Sequence, residues 1–192
     1  MHIRTALLLV VALLALVAAG CDDGKTPPTD QEFSTASRTI EEQKLRAVGR
    51  AQDLQRAQGN GRVSEQEVAL ARIQYLDAMA AFNGWLSGVE TAINTSRDLR
   101  NDKAFAASLD GAVAYAQQYT THVDQLLTRG EIGASSYDVT PIIKLTPVLL
   151  KAGQTIADWV TRRSDETKAQ YRERALAEVQ RLRWPQDPTA GG

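Results

Sequence analysis

The most constraining feature of this chain is one run. Val68, Arg72, Tyr75, Met79, Phe82, Leu86, Val89 and Ile93 follow one another at alternating steps of four and three. At 3.6 residues per turn those steps place all eight side chains on one face, so the run predicts a long amphipathic helix. Ser64 followed by Glu67 supplies its start as a capping box, each side chain satisfying a free amide of the first turn. Such a stripe has to be buried against something, and near-parallel helices are the partners that accept a four-and-three ridge. Arg72 is the one misfit, expected near a helix end or beside an acid.

A second run repeats the pattern. Phe105, Leu109, Ala112, Ala116, Tyr119, Val123 and Leu126 step by four and three from Asp102, a cap residue, to Arg129 and Gly130. Upstream, Phe33, Ile40, Ala47 and Leu54 recur every seven residues, predicting a helix over 33–58 that ends at Gly59-Asn60-Gly61, while Leu45 and Val48 lie off its stripe. Downstream of a Gly/Ser-rich loop at 130–140, Thr146-Pro147 reads as a cap and first helical residue. From there a long helix to Trp184 is expected, stopped by Pro185, with Leu149, Ala152, Ile156 and Trp159 or Val160 inward. The polar stretch 161–170 implies either a break in that helix or an arm leaving the bundle. Aromatics are 6% of the chain and helix formers abound, with no strand alternation. The expected fold is all-α: an antiparallel up-down four-helix bundle over 33–185 with a long C-terminal helix and a disordered tail at 186–192.

The N-terminus points elsewhere. Arg4 precedes an apolar run from Ala6 to Ala19, 14 residues, which ends at Ala18-Ala19-Gly20-Cys21. That is shorter than the roughly 20 residues a membrane span needs, and a cation, an apolar core and small residues make a secretory signal peptide. Small residues directly before a cysteine resemble the lipobox of bacterial lipoprotein precursors, although Ala18 stands where that family usually has Leu. The resemblance covers residues 1–21 only. It implies cleavage after Gly20 and acylation of Cys21 with membrane anchoring of the chain; Gly24, Pro27, Pro28 and four acids then make residues 21–32 read as a flexible, lipidated tether. Cys21 is also the chain's single cysteine, a lone thiol in an oxidising compartment, which acylation accounts for. Asp22 resembles the signal that retains such proteins in the inner membrane, on its periplasmic face, with the outer membrane as the alternative.

The body is poor in chemistry. Without Arg4, one of the 22 Lys+Arg, 21 cations face 23 Asp+Glu at a net charge of −2, which argues against nucleic acid as a partner. Past the leader, His122 is the only histidine; no paired Glu-x-x-His, no Cys-x-x-Cys and no phosphate-cradling glycine loop is present, so neither a metal, a cofactor nor catalysis is expected. Two ridges of small residues, Ala80-Gly84-Gly88-Ala92 and Ala104-Ser108-Ala112-Ala116, suit close packing of the second helix on the third, or a groove for a partner helix.

Two sets of residues remain as site candidates. Tyr75, Phe82, Trp85, Tyr115, Tyr119 and Trp159 could converge on a pocket between helices, although aromatics at helical spacing are more often core. Between Arg162 and Arg183 seven cations, Arg172, Arg174, Arg181 and Arg183 among them, outnumber four acids and could lean on anionic headgroups. The expected function is non-catalytic protein–protein contact in the cell envelope with an unidentified envelope protein. A small-molecule or lipid-binding bundle is the alternative, and a hydrolase fits less well.

Overall fold

The computed structural model describes residues 26–129 and 145–189, and among these the regular elements are five helices. They are α1 (Asp30–Gly59), α2 (Glu65–Thr95), α3 (Lys103–Arg129), α4 (Leu145–Thr161) and α5 (Asp165–Leu182). The leader, Cys21, Asp22 and the 130–140 loop lie outside the described residues.

Local chemistry sets the helix starts. The Ser64–Glu67 capping box forms as expected, and Asp102 Oδ1 accepts from Phe105 N at 3.0 Å to cap α3. A second capping box, Thr29 with Glu32, starts α1 at Asp30, so the last three residues of the expected tether are helical. α4 begins at Leu145, which puts Pro147 at its third position; the first-turn amides have no intrahelical acceptor, so proline costs nothing there. Each predicted stripe enters the core, with Val68, Met79 and Ala116 half-buried at its edge. Phe33, Ile40, Ala47 and Leu54 on α1 meet Tyr75, Phe82, Leu86, Val89 and Ile93 on α2, Leu109 and Val123 on α3, and Ile156 and Val160 on α4 in one core. Arg72 is exposed, and Ala71 takes the inward position beside it.

The long C-terminal helix is not observed. It breaks at Arg162–Ser164, where Arg163 N reaches back to Val160 O at 3.1 Å and Ser164 adopts an extended ψ of 152°. The polar stretch offers no apolar face to hold a continuous helix, whereas the corner has its own fastening. Arg163 donates to Trp159 O at 2.8 Å and its guanidinium lies 3.4 Å from the Tyr171 ring centroid. Asp165 and Glu166 then suit the positive start of α5. Nor does α5 leave the bundle. Ser37 donates to Glu178, Arg181 pairs with Glu41, and Gln52 Nε2 donates to Pro188 O at 2.8 Å, pairs that climb α1 and the C-terminal segment together. Residues 186–189, expected to be disordered, therefore lie against α1.

Candidate functional site

The aromatic candidates do not converge on one pocket. Tyr119, Tyr75, Trp184, Phe82, Trp85 and Phe105 form a chain of ring contacts with centroids 5.0–5.9 Å apart. Trp159 sits apart, stacked on Phe33 at 4.0 Å and edge-on to Tyr171 at 4.6 Å. Tyr75, Phe82, Trp85, Tyr119 and Trp159 are all fully buried, whereas Tyr115 is exposed. Between α2, α3 and α4 the core is filled: a Cβ at Gly153 would fall 2.9 Å from Trp85, and one at Gly88 2.9 Å from Phe105. The small residues thus serve packing only in part, since Ala80, Gly84, Ala104 and Ser108 face solvent.

Trp184 is the aromatic that periodicity did not single out. It stacks on Tyr75 and Phe82, and its backbone exchanges hydrogen bonds with Asn83, N to Oδ1 at 2.9 Å and Nδ2 to O at 3.1 Å. Tyr75 donates to Pro185 O at 2.9 Å, and burial pushes its phenol up to about 12. Residues 184–189 are thereby strapped over α1 and α2. Beneath 186–189 lies a cavity of about 200 Å³, walled by Leu54, Val68, Ala71, Tyr75 and Tyr119. The Tyr119 hydroxyl is buried and finds no hydrogen-bond partner among the described residues, and desolvation raises its pKa.

The four candidate membrane-facing cations divide into two pairs. Arg181 is held by Glu41 and Glu178, whose carboxyls its guanidinium keeps below the usual carboxylate range. Arg183 bonds Glu90 at 2.8 Å, Ser87 at 3.0 Å and Asn83 O at 3.0 Å. Those two charges face acids of the bundle itself. Arg172 and Arg174 are exposed near the α4–α5 corner; Arg172 reaches Asn94 at 2.6 Å, and Arg174 lies 5.0 Å from the Trp159 ring centroid.

A buried polar chain, unanticipated from the sequence, joins the α2–α3 turn to α4. Leu99 N donates to Gln154 Oε1 at 2.8 Å, Gln154 Nε2 donates to Asp158, and Arg162 pairs with Asp158 at 2.5 Å. Burial raises the Asp158 pKa against the pull of Gln154 and Arg162. His122 is half-buried, with Nδ1 2.7 Å from Gln74 Oε1, a bond that ties α3 to α2. Among the described residues no group of three or more His, Cys, Asp or Glu could hold a metal, and no helix is long and apolar enough to cross a membrane. Compared with known proteins, the chain matches no family model, no curated protein and no solved structure.

Proposed function

We propose that this chain is a lipid-anchored, periplasm-facing helical bundle that acts without catalysis, by protein–protein contact in the cell envelope. One observation carries the reading: the apolar leader ends in small residues immediately before the chain's single cysteine, Cys21. The lipobox resemblance implies three acyl chains on that residue, an anchor that one alone would not give, because a single chain binds bilayers only marginally. Asp22, which resembles the retention signal of such lipoproteins, favours the inner membrane over the outer.

The contact reading draws its support from where apolar surface is left over. With the α2–α3–α4 core filled, Leu70 and Ile73 stand 49% and 57% exposed within one turn of α2, and Tyr115 is 47% exposed on α3. Leu45 on α1 and Val148 on α4 are exposed as well, and Leu70 with Ile73 is the pair that stands together on one turn, the patch offered for a partner. We also read α1 to α4 as an up-down antiparallel set, with α5 as an added fifth element. The pairs Glu67–Arg129, Gln74–His122 and Trp85–Phe105, which fall on one helix as they rise on the other, support it.

The test is in-cell crosslinking and co-purification from membranes, comparing the wild-type chain with Cys21→Ala. A defined envelope protein captured with the wild type and lost with the variant is the expected result. Equal capture in both, or none in either, refutes the reading.

A further inference from the structure

We infer that the outer face of α2 and α3 docks a basic amphipathic helix of another envelope protein. The inference rests on the contact reading above and names the chemistry of the partner; it needs nothing from the lipid anchor.

Charge is distributed unevenly over these two helices. Between Arg72 and Arg97, and again between Lys103 and Arg129, there is no Lys or Arg, while Asp77, Glu90, Asp110 and Asp124 fall in those stretches. Two of these acids are answered from within the bundle. Arg183 meets Glu90 at 2.8 Å, and Arg50 on α1 meets Asp124 at 3.0 Å. Asp77 and Asp110 are exposed, and among the described residues neither forms an ion pair or a side-chain hydrogen bond.

Apolar surface lies beside them. On α2, Leu70, Ile73, Asp77, Ala80 and Gly84 are exposed and step by three and four, so they share one face. On α3, Ala107, Gly111, Ala114 and Gln118 step the same way, with exposed Tyr115 next to them. These rims adjoin: Leu70 stands one turn before Gln74, Gln118 one turn before His122, and Gln74 Oε1 lies 2.7 Å from His122 Nδ1. From Leu70 to Gly84 the face runs about 21 Å at 1.5 Å per residue, room for about four turns of a docked helix.

Two glycines are spaced for close approach from outside. A Cβ at Gly88 would fall 2.9 Å from Phe105, so the interior accounts for that glycine, whereas a Cβ at Gly84 or Gly111 would meet nothing within 4 Å. Neither of the two has a positive φ. Glycine weakens a helix interior relative to alanine, and nothing inside the bundle requires it at these positions. A second backbone packed against them from solvent gives it a use. The charge decides what that backbone carries. A second copy of this chain, docked face to face, would set Asp77 and Asp110 against the same two acids with no cation among them. An anionic headgroup surface is repelled likewise. A helix with Lys or Arg flanking a narrow apolar edge complements both the acids and the Leu70–Ile73 pair, in the helix-in-groove mode.

The experiment takes the full-length chain as cells make it, purified from membranes in nonionic detergent. It is titrated into a fluorescein-labelled helical peptide of about 18 residues, with Leu and Ala along one edge and Lys flanking it. A second peptide has Glu in place of every Lys. Anisotropy should show saturable binding of the Lys peptide below about 100 µM, at least about tenfold tighter than the Glu peptide and weaker as salt rises. Asp77→Asn combined with Asp110→Asn should weaken it by about threefold to tenfold, and Ile73→Gln by about tenfold. Gly84→Leu, which fills the approach, should abolish binding. Gly84→Ala should weaken binding and yet raise the melting temperature, a combination that a purely structural glycine would not give. The inference is overturned if the Glu peptide binds as well as the Lys peptide, if neither saturates below about 1 mM, or if Gly84→Leu binds as the wild type does. Self-association in sedimentation, abolished by Gly84→Leu, would assign the face to a second copy. Binding of the Cys21→Ala chain to phosphatidylglycerol vesicles, lost on adding Ile73→Gln, would assign it to the bilayer. Either result overturns the inference. A defined protein still captured in cells by the Gly84→Leu chain would sink this face while the contact reading stands.

Discussion

Gly153→Ala is the substitution whose outcome the packing specifies most directly. A Cβ at this buried position in α4 would fall 2.9 Å from Trp85 Cζ2 and 3.2 Å from Val89 Cγ2. Relaxed carbon contacts sit at about 3.5–4.0 Å. Trp85 has little room to yield, since it is 1% exposed and its ring contacts Phe82 and Phe105 at centroid separations of 5.4 and 5.8 Å. Overpacking of this kind costs roughly 1–3 kcal/mol. Against it stands the helix preference of alanine over glycine, about 1 kcal/mol. The net expectation is a loss of about 0–2 kcal/mol. Gly84→Ala supplies the control, because Gly84 is exposed in mid-α2 with no atom within 4 Å of its Cβ position. There only the helix preference acts, and the variant should gain about 0.5–1 kcal/mol. Taking the difference between the two variants cancels the backbone term and leaves the clash. At about 2–4 °C per kcal/mol for a chain of this size, the two melting temperatures should differ by roughly 2–12 °C. Thermal unfolding followed by far-ultraviolet circular dichroism reads this, and urea midpoints at unchanged slope confirm it. A Gly153→Ala protein as stable as Gly84→Ala would refute the account of the α2–α4 contact.

Three further outcomes follow from contacts already described. Gln154→Ala leaves the Leu99 amide unbonded in a buried turn and should cost about 1–3 kcal/mol in urea unfolding, whereas Gln154→Glu should retain part of that bond. Glu41 and Glu178 have folded pKa values below the ordinary 4.5, so their contribution is complete above that pH and is lost as pH falls through the lowered values. Acid unfolding curves should show this slope in the wild type and lose part of it in Arg181→Gln. Trp184→Ala removes a buried ring stacked on Tyr75 and Phe82 and should cost about 3–5 kcal/mol, with faster amide exchange across 184–189 than across α3.

Periodicity could be read from the sequence wherever burial depends on one helix alone. Every aliphatic or aromatic residue predicted inward on α1, together with Tyr75, Phe82, Leu86, Val89 and Ile93 on α2, is buried. The same logic failed where the decisive partner is remote in sequence. Trp184 read as the last residue of a helix, and its role depends on Asn83, Tyr75 and Phe82, about a hundred residues away. The aromatic set was chosen by type and spacing, which cannot distinguish a shared pocket from two separate stacks, and Trp159 belongs with Phe33 and Tyr171. For the basic stretch, local charge counts group Arg181 and Arg183 with the other cations, whereas the acids that pair with them on α1 and α2, Glu41 and Glu90, are invisible to any short window. The polar segment 161–170 did signal a discontinuity. Its direction was set by Arg163 between Trp159 and Tyr171, a contact that forms only once α5 turns back.

That turn bears on how an anchored molecule would stand at the membrane. Between Cys21 and Asp30 a chain spans at most about 3.3–3.6 Å per residue, so a lipid on Cys21 would lie no more than about 30 Å from the start of α1. Trp159 donates to Asp30 at 3.1 Å, which puts the α4–α5 corner, with exposed Arg174 against Trp159, at the tethered end. α1 is 30 residues, about 45 Å at 1.5 Å per residue, and α2 begins where it finishes. Ile73, early on α2, lies toward the end opposite Asp30, so an anchor at Cys21 would hold it away from the headgroups. Cysteines introduced singly as Arg174→Cys and Ile73→Cys can each be labelled selectively if acylation occupies Cys21. In vesicles with quencher-labelled headgroups, the fluorophore at 174 should be quenched and the one at 73 should not. Equal quenching at both positions would refute an upright body. Strong quenching at 73 alone would turn the apolar face of α2 toward the bilayer and remove it as a surface for a protein partner.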